Sequence, residues 1–234
     1  MTVSSSVTST SATGVLDRRT VVVIVGALIC LWGARFGQDW DSENWTRLTQ
    51  VSWWSATQIF FYLAVPMVIV LALGLRPADI GWRLRGTAGD WKKYAALFVV
   101  AAPFVIVASS TASFQESYPL YEIAPGQTGV WSDLAVWWPF YVAQFVAVET
   151  FFRGYLVIGL APALGRLSIL VATVPYLMIH FVKPPMEALA SIVGGVVMGI
   201  LAYRTRSVWW GVALHVAVAA LMDVMSLGHK GFIW

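Results

Sequence analysis

The sequence predicts an all-α membrane protein, a polytopic bundle of about seven transmembrane helices, and three observations carry that prediction. Of its 234 residues, 59% are hydrophobic and 12% charged, where a soluble domain has roughly 45–50% apolar and about 25% charged residues. So few charges cannot cover a water-facing surface, and lipid must cover much of it. Seven apolar stretches come near the ~20 residues that a helix needs to cross the hydrocarbon core. Thirteen tryptophans, with pairs at Trp53–Trp54, Trp137–Trp138 and Trp209–Trp210 beside apolar runs, suit the headgroup boundary, where an indole keeps one edge wet. The net charge of +3 is ordinary for such a protein and gives no reason to expect nucleic acid as a partner. The single cysteine, Cys30, excludes an intrachain disulfide and a cysteine metal cluster.

Residues 1–16 read as a disordered tail, because positions 2–14 are almost all Ser, Thr, Val, Ala and Gly, too small and polar to pack. Residues 17–234 read as one transmembrane domain. Arg18 and Arg19 ahead of Val21–Trp32 resemble a signal peptide, yet no small-x-small cleavage site follows. The stretch is therefore read as a first span. The expected spans are 19–37, 55–75, 93–112, 133–160, 165–183, 187–203 and 207–227.

The loops between them set the orientation. Ten basic residues fall on one side: Arg18, Arg19, Arg76, Arg83, Arg85, Lys92, Lys93, Arg166, Arg204 and Arg206. Arg35, Arg47, Lys183 and Lys230 fall on the other. The positive-inside rule then places the N-terminus in the cytoplasm and, after an odd number of spans, the C-terminus outside. An asymmetry this strong suits the plasma (inner) membrane of a prokaryote. Gly195 and Gly199 form a GxxxG pair at which two helices can approach closely. No internal repeat is visible, which argues against the inverted-repeat transporters.

Function is carried by the ionisable residues inside the spans: Glu149, Arg153, His180, His215 and Asp223. A charge at a helix centre costs about 2.5–3.5 kcal/mol on insertion scales, so each needs a partner or a task. Glu149 and Arg153 stand four apart on one helix face and can pair, which by itself is equally well a structural ion pair. Two histidines on other helices turn the pair into a candidate site, since Glu takes a proton from water and a neutral His holds water or receives charge. Asp223, eight residues beyond His215, is placed to orient it. Lys183 and Glu187, near the outer end of the fifth span, are candidates for substrate contact, or else plain interfacial charges. His229 lies in the tail and is given no part.

These residues carry a resemblance. Glu149-Thr-Phe-Phe-Arg153-Gly resembles the first motif of the CPBP family, the CAAX-protease and bacteriocin-processing intramembrane proteases, which reads Glu-Glu-x-x-x-Arg. Tyr176-Leu-Met-Ile-His180 resembles the second motif, and His215 in Gly211-Val-Ala-Leu-His-Val the third, His-x-x-x-Asn/Asp. Leu75-Arg-Pro-Ala-Asp-Ile-Gly81 is similar to the loop leading into the family's core, so the likeness covers about 75–227. Two positions depart from the pattern. Val148 stands where the family has its first glutamate, regarded as the water-activating base, and Ala219 stands where the third motif has Asn or Asp.

The resemblance implies an intramembrane endopeptidase that cleaves a membrane-associated peptide or protein. Glu149 with His180 would activate water, His215 would stabilise the oxyanion, and Arg153 would keep Glu149 ionised. No cofactor is favoured. Zinc is the alternative, because two His and a carboxylate are suitable ligand types, although Arg153 beside the carboxylate would repel a dication. Val148 and Ala219 support a second class, a catalytically inactive CPBP-like membrane protein acting in immunity or as a scaffold. The substrate is not written in the sequence.

Overall fold

In a computed structural model, residues 17–39, 44–123 and 127–233 are described, and they contain helices and no strands. The expected tail at 1–16 lies outside the described residues. Eight helices follow one another: α1 (Arg18–Gly37), α2 (Arg47–Ala72), α3 (Ala88–Ala108), a short α4 (Ala112–Ser117), α5 (Val130–Leu164), α6 (Leu167–Met178), α7 (Pro185–Thr205) and α8 (Trp209–His229). Six of them are long and apolar enough to cross a membrane.

α1 begins where Asp17 caps it, its carboxylate accepting the Thr20 N–H at 2.7 Å. It docks through small residues. A Cβ at Gly26 would lie 2.5 Å from the Tyr155 hydroxyl, and one at Gly33 would lie 2.1 Å from the Phe61 ring. Ala27, Cys30 and Ala34 complete the buried face. The first span is thus part of the bundle.

Several expected boundaries move. α2 starts at Arg47 and not at 55, because the polar Thr46 caps it and accepts the Thr49 N–H at 3.2 Å. Thr49, Ser52 and Gln50 made that turn look like loop. α3 ends at Ala108 instead of 112, α5 runs beyond 133–160 at both ends, and α7 and α8 each shift by about a turn or less. The largest correction concerns the fifth span. α6 stops at Met178 after 12 residues, roughly 18 Å of helix at 1.5 Å per residue, short of the ~30 Å of hydrocarbon. His180 therefore lies in the turn that follows the helix, not within it. His229, expected in a tail, is the last residue of α8, with Nε2 3.2 Å from the Ser109 hydroxyl.

The bundle is built round α5, whose most apolar stretch is 83% buried, while that of no other long helix exceeds 44%. α3 is the opposite case. Only 6% of it is buried, and Val99, Val100, Phe104 and Val107 face outward toward lipid. Phe151, Phe152 and Tyr155 of α5 form the centre of the main core with Tyr62, which stacks on Phe151 at 4.7 Å.

Both α2 and α5 contain wide, π-helical stretches, at Phe60–Ala64 and Thr150–Ile158. In each, an N–H reaches back five residues, from Val65 to the Phe60 carbonyl and from Gly159 to the Gly154 carbonyl. Pro66, which has no N–H to give, explains the first stretch. Such stretches frequently mark functional positions, and the one in α5 begins immediately after Glu149.

α6 and α7 lie against each other through the GxxxG pair, as expected. A Cβ at Gly195 would be 2.9 Å from Thr173 Cγ2, and one at Gly199 would be 2.8 Å from Ile169 Cγ2. Gly195→Ala should therefore destabilise the protein by about 1–3 kcal/mol through overpacking, read as a lower denaturation midpoint. An unchanged midpoint would mean the two helices can part without cost.

Candidate active site

Glu149 is the most enclosed acid among the described residues: its side chain has no exposed surface. Two groups hold it. His215 of α8 places Nδ1 3.0 Å from Oε1, and Arg153, one turn on, places Nε 3.5 Å from Oε2. The second contact is an ion pair too long for a hydrogen bond. A buried carboxylate without a cation would not survive, so the arginine and the glutamate account for each other.

Arg153 is itself 2% exposed and completes its surroundings with an aromatic face and a sulfur. Its guanidinium carbon lies 4.0 Å over the Tyr176 ring, and Nη2 approaches Met198 Sδ at 3.8 Å. Tyr176 then leads to the second histidine. The Tyr176 carbonyl is 2.7 Å from His180 Nδ1, and the two rings are 4.6 Å apart. Phe145 packs against His215 at 4.5 Å.

The ring nitrogens follow from these partners. A carbonyl and an ionised carboxylate only accept, so each Nδ1 carries the proton when its imidazole is neutral. Each Nε2 is left with its lone pair.

Sequence reasoning did not single out Gly211. It stands one turn before His215, and a Cβ there would lie 2.6 Å from Glu149 Oε2. The bare backbone of α8 is what makes room for the carboxylate. The signal was a glycine four residues before a histidine, which means little until another helix is known to face it. Tyr176 was seen only as part of a motif, and its ring beneath Arg153 depends on α5 and α6 being neighbours.

Of the other expected site residues, Asp223 is not what orients His215; Glu149 occupies that position. Asp223 is 1% exposed and lies two turns further along α8. Glu187 accepts from the Tyr118 hydroxyl at 2.7 and 2.8 Å, and Lys183 Nζ lies 5.0 Å from the centre of the same ring. These two charges are thus tied to the loop after α4 rather than to Glu149. The departures from the motif are buried apolar positions. Val148 belongs to the main core, and Ala219 packs with Trp137 and Phe145.

Among the described residues, no three His, Cys, Asp or Glu side chains group closely enough to hold an ion, and Glu149 already has a guanidinium beside it.

A comparison with known families finds one match. Residues 130–221 match the model of the Rce1-like family, described as type II CAAX prenyl endopeptidase Rce1-like. This segment is similar to that family. The match agrees with the CPBP resemblance and spans Glu149, Arg153, His180, Gly211 and His215. No curated protein and no solved structure matches the chain. The matched segment comprises α5, α6, α7 and the first half of α8, while α1 to α3 pack around it in a multi-pass membrane protein.

Proposed function

We propose that the chain is an intramembrane endopeptidase in which Glu149 and His215 act as one unit. The observation that carries this is the 3.0 Å contact between His215 Nδ1 and Glu149 Oε1, made by a carboxylate with no exposed surface. Such burial leaves Glu149 no direct path to a substrate water. The base moves from Glu149, where the resemblance alone would put it, to the imidazole that Glu149 orients. His215 Nε2 takes a proton from water as the water oxygen bonds to the scissile carbonyl carbon. Glu149 stabilises the imidazolium that forms, much as a buried acid does in other acid–histidine pairs. The same Nε2–H then passes to the departing amine while the C–N bond breaks.

His180, with Nδ1 committed to the Tyr176 carbonyl, offers Nε2 to the second proton of that water and so aims the oxygen. Arg153 pairs with the Glu149 carboxylate at 3.5 Å. Its positive charge and that of the imidazolium also favour the oxyanion. The scheme uses no metal. Equal turnover before and after chelation, with purified protein free of zinc, would agree with it; zinc held in stoichiometric amount would overturn it.

The substrate in this reading is a membrane-associated peptide or protein. Lys183, in the turn after α6, and Glu187, in the first turn of α7, remain the candidates to meet it. With ten basic residues on one side, the loop 76–90 is cytoplasmic in this reading and the loop after α4 is outside, the membrane being the plasma membrane of a prokaryote. Residues 17–234 form one domain in this reading, with the family-like core at about 75–227.

Comparing protein C-termini in cells that have or lack the gene would identify the cleaved bond. Cells making His180→Ala protein, correctly inserted, should then resemble cells without it. If they resemble the wild type, His180 takes no part. Val148 and Ala219, both in apolar packing, favour a second reading, an inactive immunity or scaffold protein. Immunity that survives Glu149→Gln would support that reading and count against proteolysis.

A further inference from the structure

The pair depends on two helices far apart in sequence, and one short piece of chain holds both. Residues 77–80 make a 3₁₀ turn after Arg76, whose N–H donates to Asp79 Oδ2 at 2.8 Å. That bond, with the Arg76 guanidinium, holds the Asp79 carboxyl below its ordinary value. Gly81 follows at φ +89°, a left-handed conformation that favours glycine. The result is a rigid hook between α2 and α3.

One side of the hook lies on the wide stretch of α5. Trp82 Nε1–H donates to Thr150 Oγ1 at 2.9 Å, across 68 residues of sequence. The Ile80 carbonyl comes so close to Gly154 that a Cβ there would lie 2.6 Å from its oxygen. A Cβ on Gly81 would lie 2.7 Å from Ile158. The hook therefore touches α5 at 150, 154 and 158, about once per turn, beginning at the residue after Glu149.

The other side holds the start of α8. The Val208 N–H donates to the Gly81 carbonyl at 3.1 Å, and the Ser207 hydroxyl to the Arg83 carbonyl at 2.9 Å. Trp210 Nε1–H reaches the Thr87 carbonyl at 2.8 Å, while the Trp82 and Trp209 rings are 5.2 Å apart. Gly211 comes next, and His215 one turn later.

We propose that this hook sets the separation of Glu149 and His215, and that Trp82 is the positioning residue through which it acts. A wide stretch is rare within α-helices, and a bond from outside the helix helps to hold it open. The Trp82–Thr150 bond does so at the first residue of the stretch. Without it, the turn bearing Glu149 tightens toward α geometry and rotates the carboxylate away from Nδ1. The consequence for turnover rests on the proteolytic reading above; the consequence for the pair does not.

The test is the Nδ1 resonance of His215 in protein labelled with ¹⁵N-histidine, in micelles at one pH, assigned through His215→Gln. Glu149→Gln marks the position of an imidazole that has lost its carboxylate. Trp82→Phe should shift the resonance in the same direction, with the His180 signal unmoved. Thr150→Val, which keeps the shape and removes the acceptor, should reproduce that shift, and the double variant should add nothing. If Trp82→Phe unfolds the protein, Thr150→Val decides alone. A wild-type His215 resonance in Thr150→Val, or shifts that sum in the double variant, would overturn the proposal. No turnover is required, so a protein that cleaves nothing would refute the proteolytic reading and leave this result intact.

Discussion

Glu149→Gln is expected to lower kcat by roughly 10³–10⁴, the scale lost when a buried acid that orients a catalytic histidine becomes its amide. The amide can present either its oxygen or its NH₂ to His215 Nδ1, so it no longer dictates the tautomer and cannot stabilise an imidazolium. The shape of the site is kept, and the variant should still insert and fold. It also leaves the Arg153 guanidinium buried without its anion, so a loss of stability is expected as well. Breaking a buried pair typically costs about 3–5 kcal/mol, with the Tyr176 face and the Met198 sulfur retaining part of the guanidinium's environment. The check is turnover of the substrate identified from C-termini, beside a denaturation midpoint. His215→Gln should lose a similar factor, and the two changes together little more, because each disables the same unit. Full turnover by correctly inserted Glu149→Gln protein would end the assignment.

Gly211→Ala tests the cradle rather than the chemistry. Its Cβ would stand 2.6 Å from Glu149 Oε2, a separation no real contact tolerates. A flexible side chain on a surface would turn away at little cost. Here Oε1 is held by His215, the Arg153 guanidinium lies beyond Oε2, and no solvent space surrounds the group. Either α8 backs away from α5 or the carboxylate leaves its partner. Displacement of about 1 Å at a reacting geometry can cost on the order of 10² in rate, and overpacking adds about 1–3 kcal/mol of destabilisation. Combining Gly211→Ala with Glu149→Asp, which withdraws the carboxylate by one methylene, should recover stability but not rate. Wild-type turnover in Gly211→Ala protein would show that the close approach of α8 has no part in activity.

The two variants bear on different levels of legibility. Glu149, Arg153, His180 and His215 were visible in sequence because ionisable groups in apolar runs are costly enough to demand a reason. Gly211 and Trp82 carry no such cost. A glycine in a membrane helix and a tryptophan beside a basic loop are ordinary, and only the facing helix gives them meaning. The same limit explains Asp223. Spacing along α8 put it in reach of His215, whereas the crossing of α5 and α8 gave that place to Glu149.

The sequence by itself determined that the chain is an all-helical membrane protein and which charges its spans conceal. Composition and the cost of charge in hydrocarbon are local properties, additive along the chain, and need no fold to be read. It also bounded most helices to within a few residues, failing where a polar capped turn opened α2 and where α6 stopped short. What only the tertiary structure decided is how the charges meet: carboxylate on imidazole, guanidinium on tyrosine, and a hook bracing both helices. Hydrogen bonds and close approaches act over about 3 Å, while the residues concerned lie 66 and 68 positions apart. A contact of that range between positions so distant depends on the packing of whole helices, which no single stretch of sequence contains.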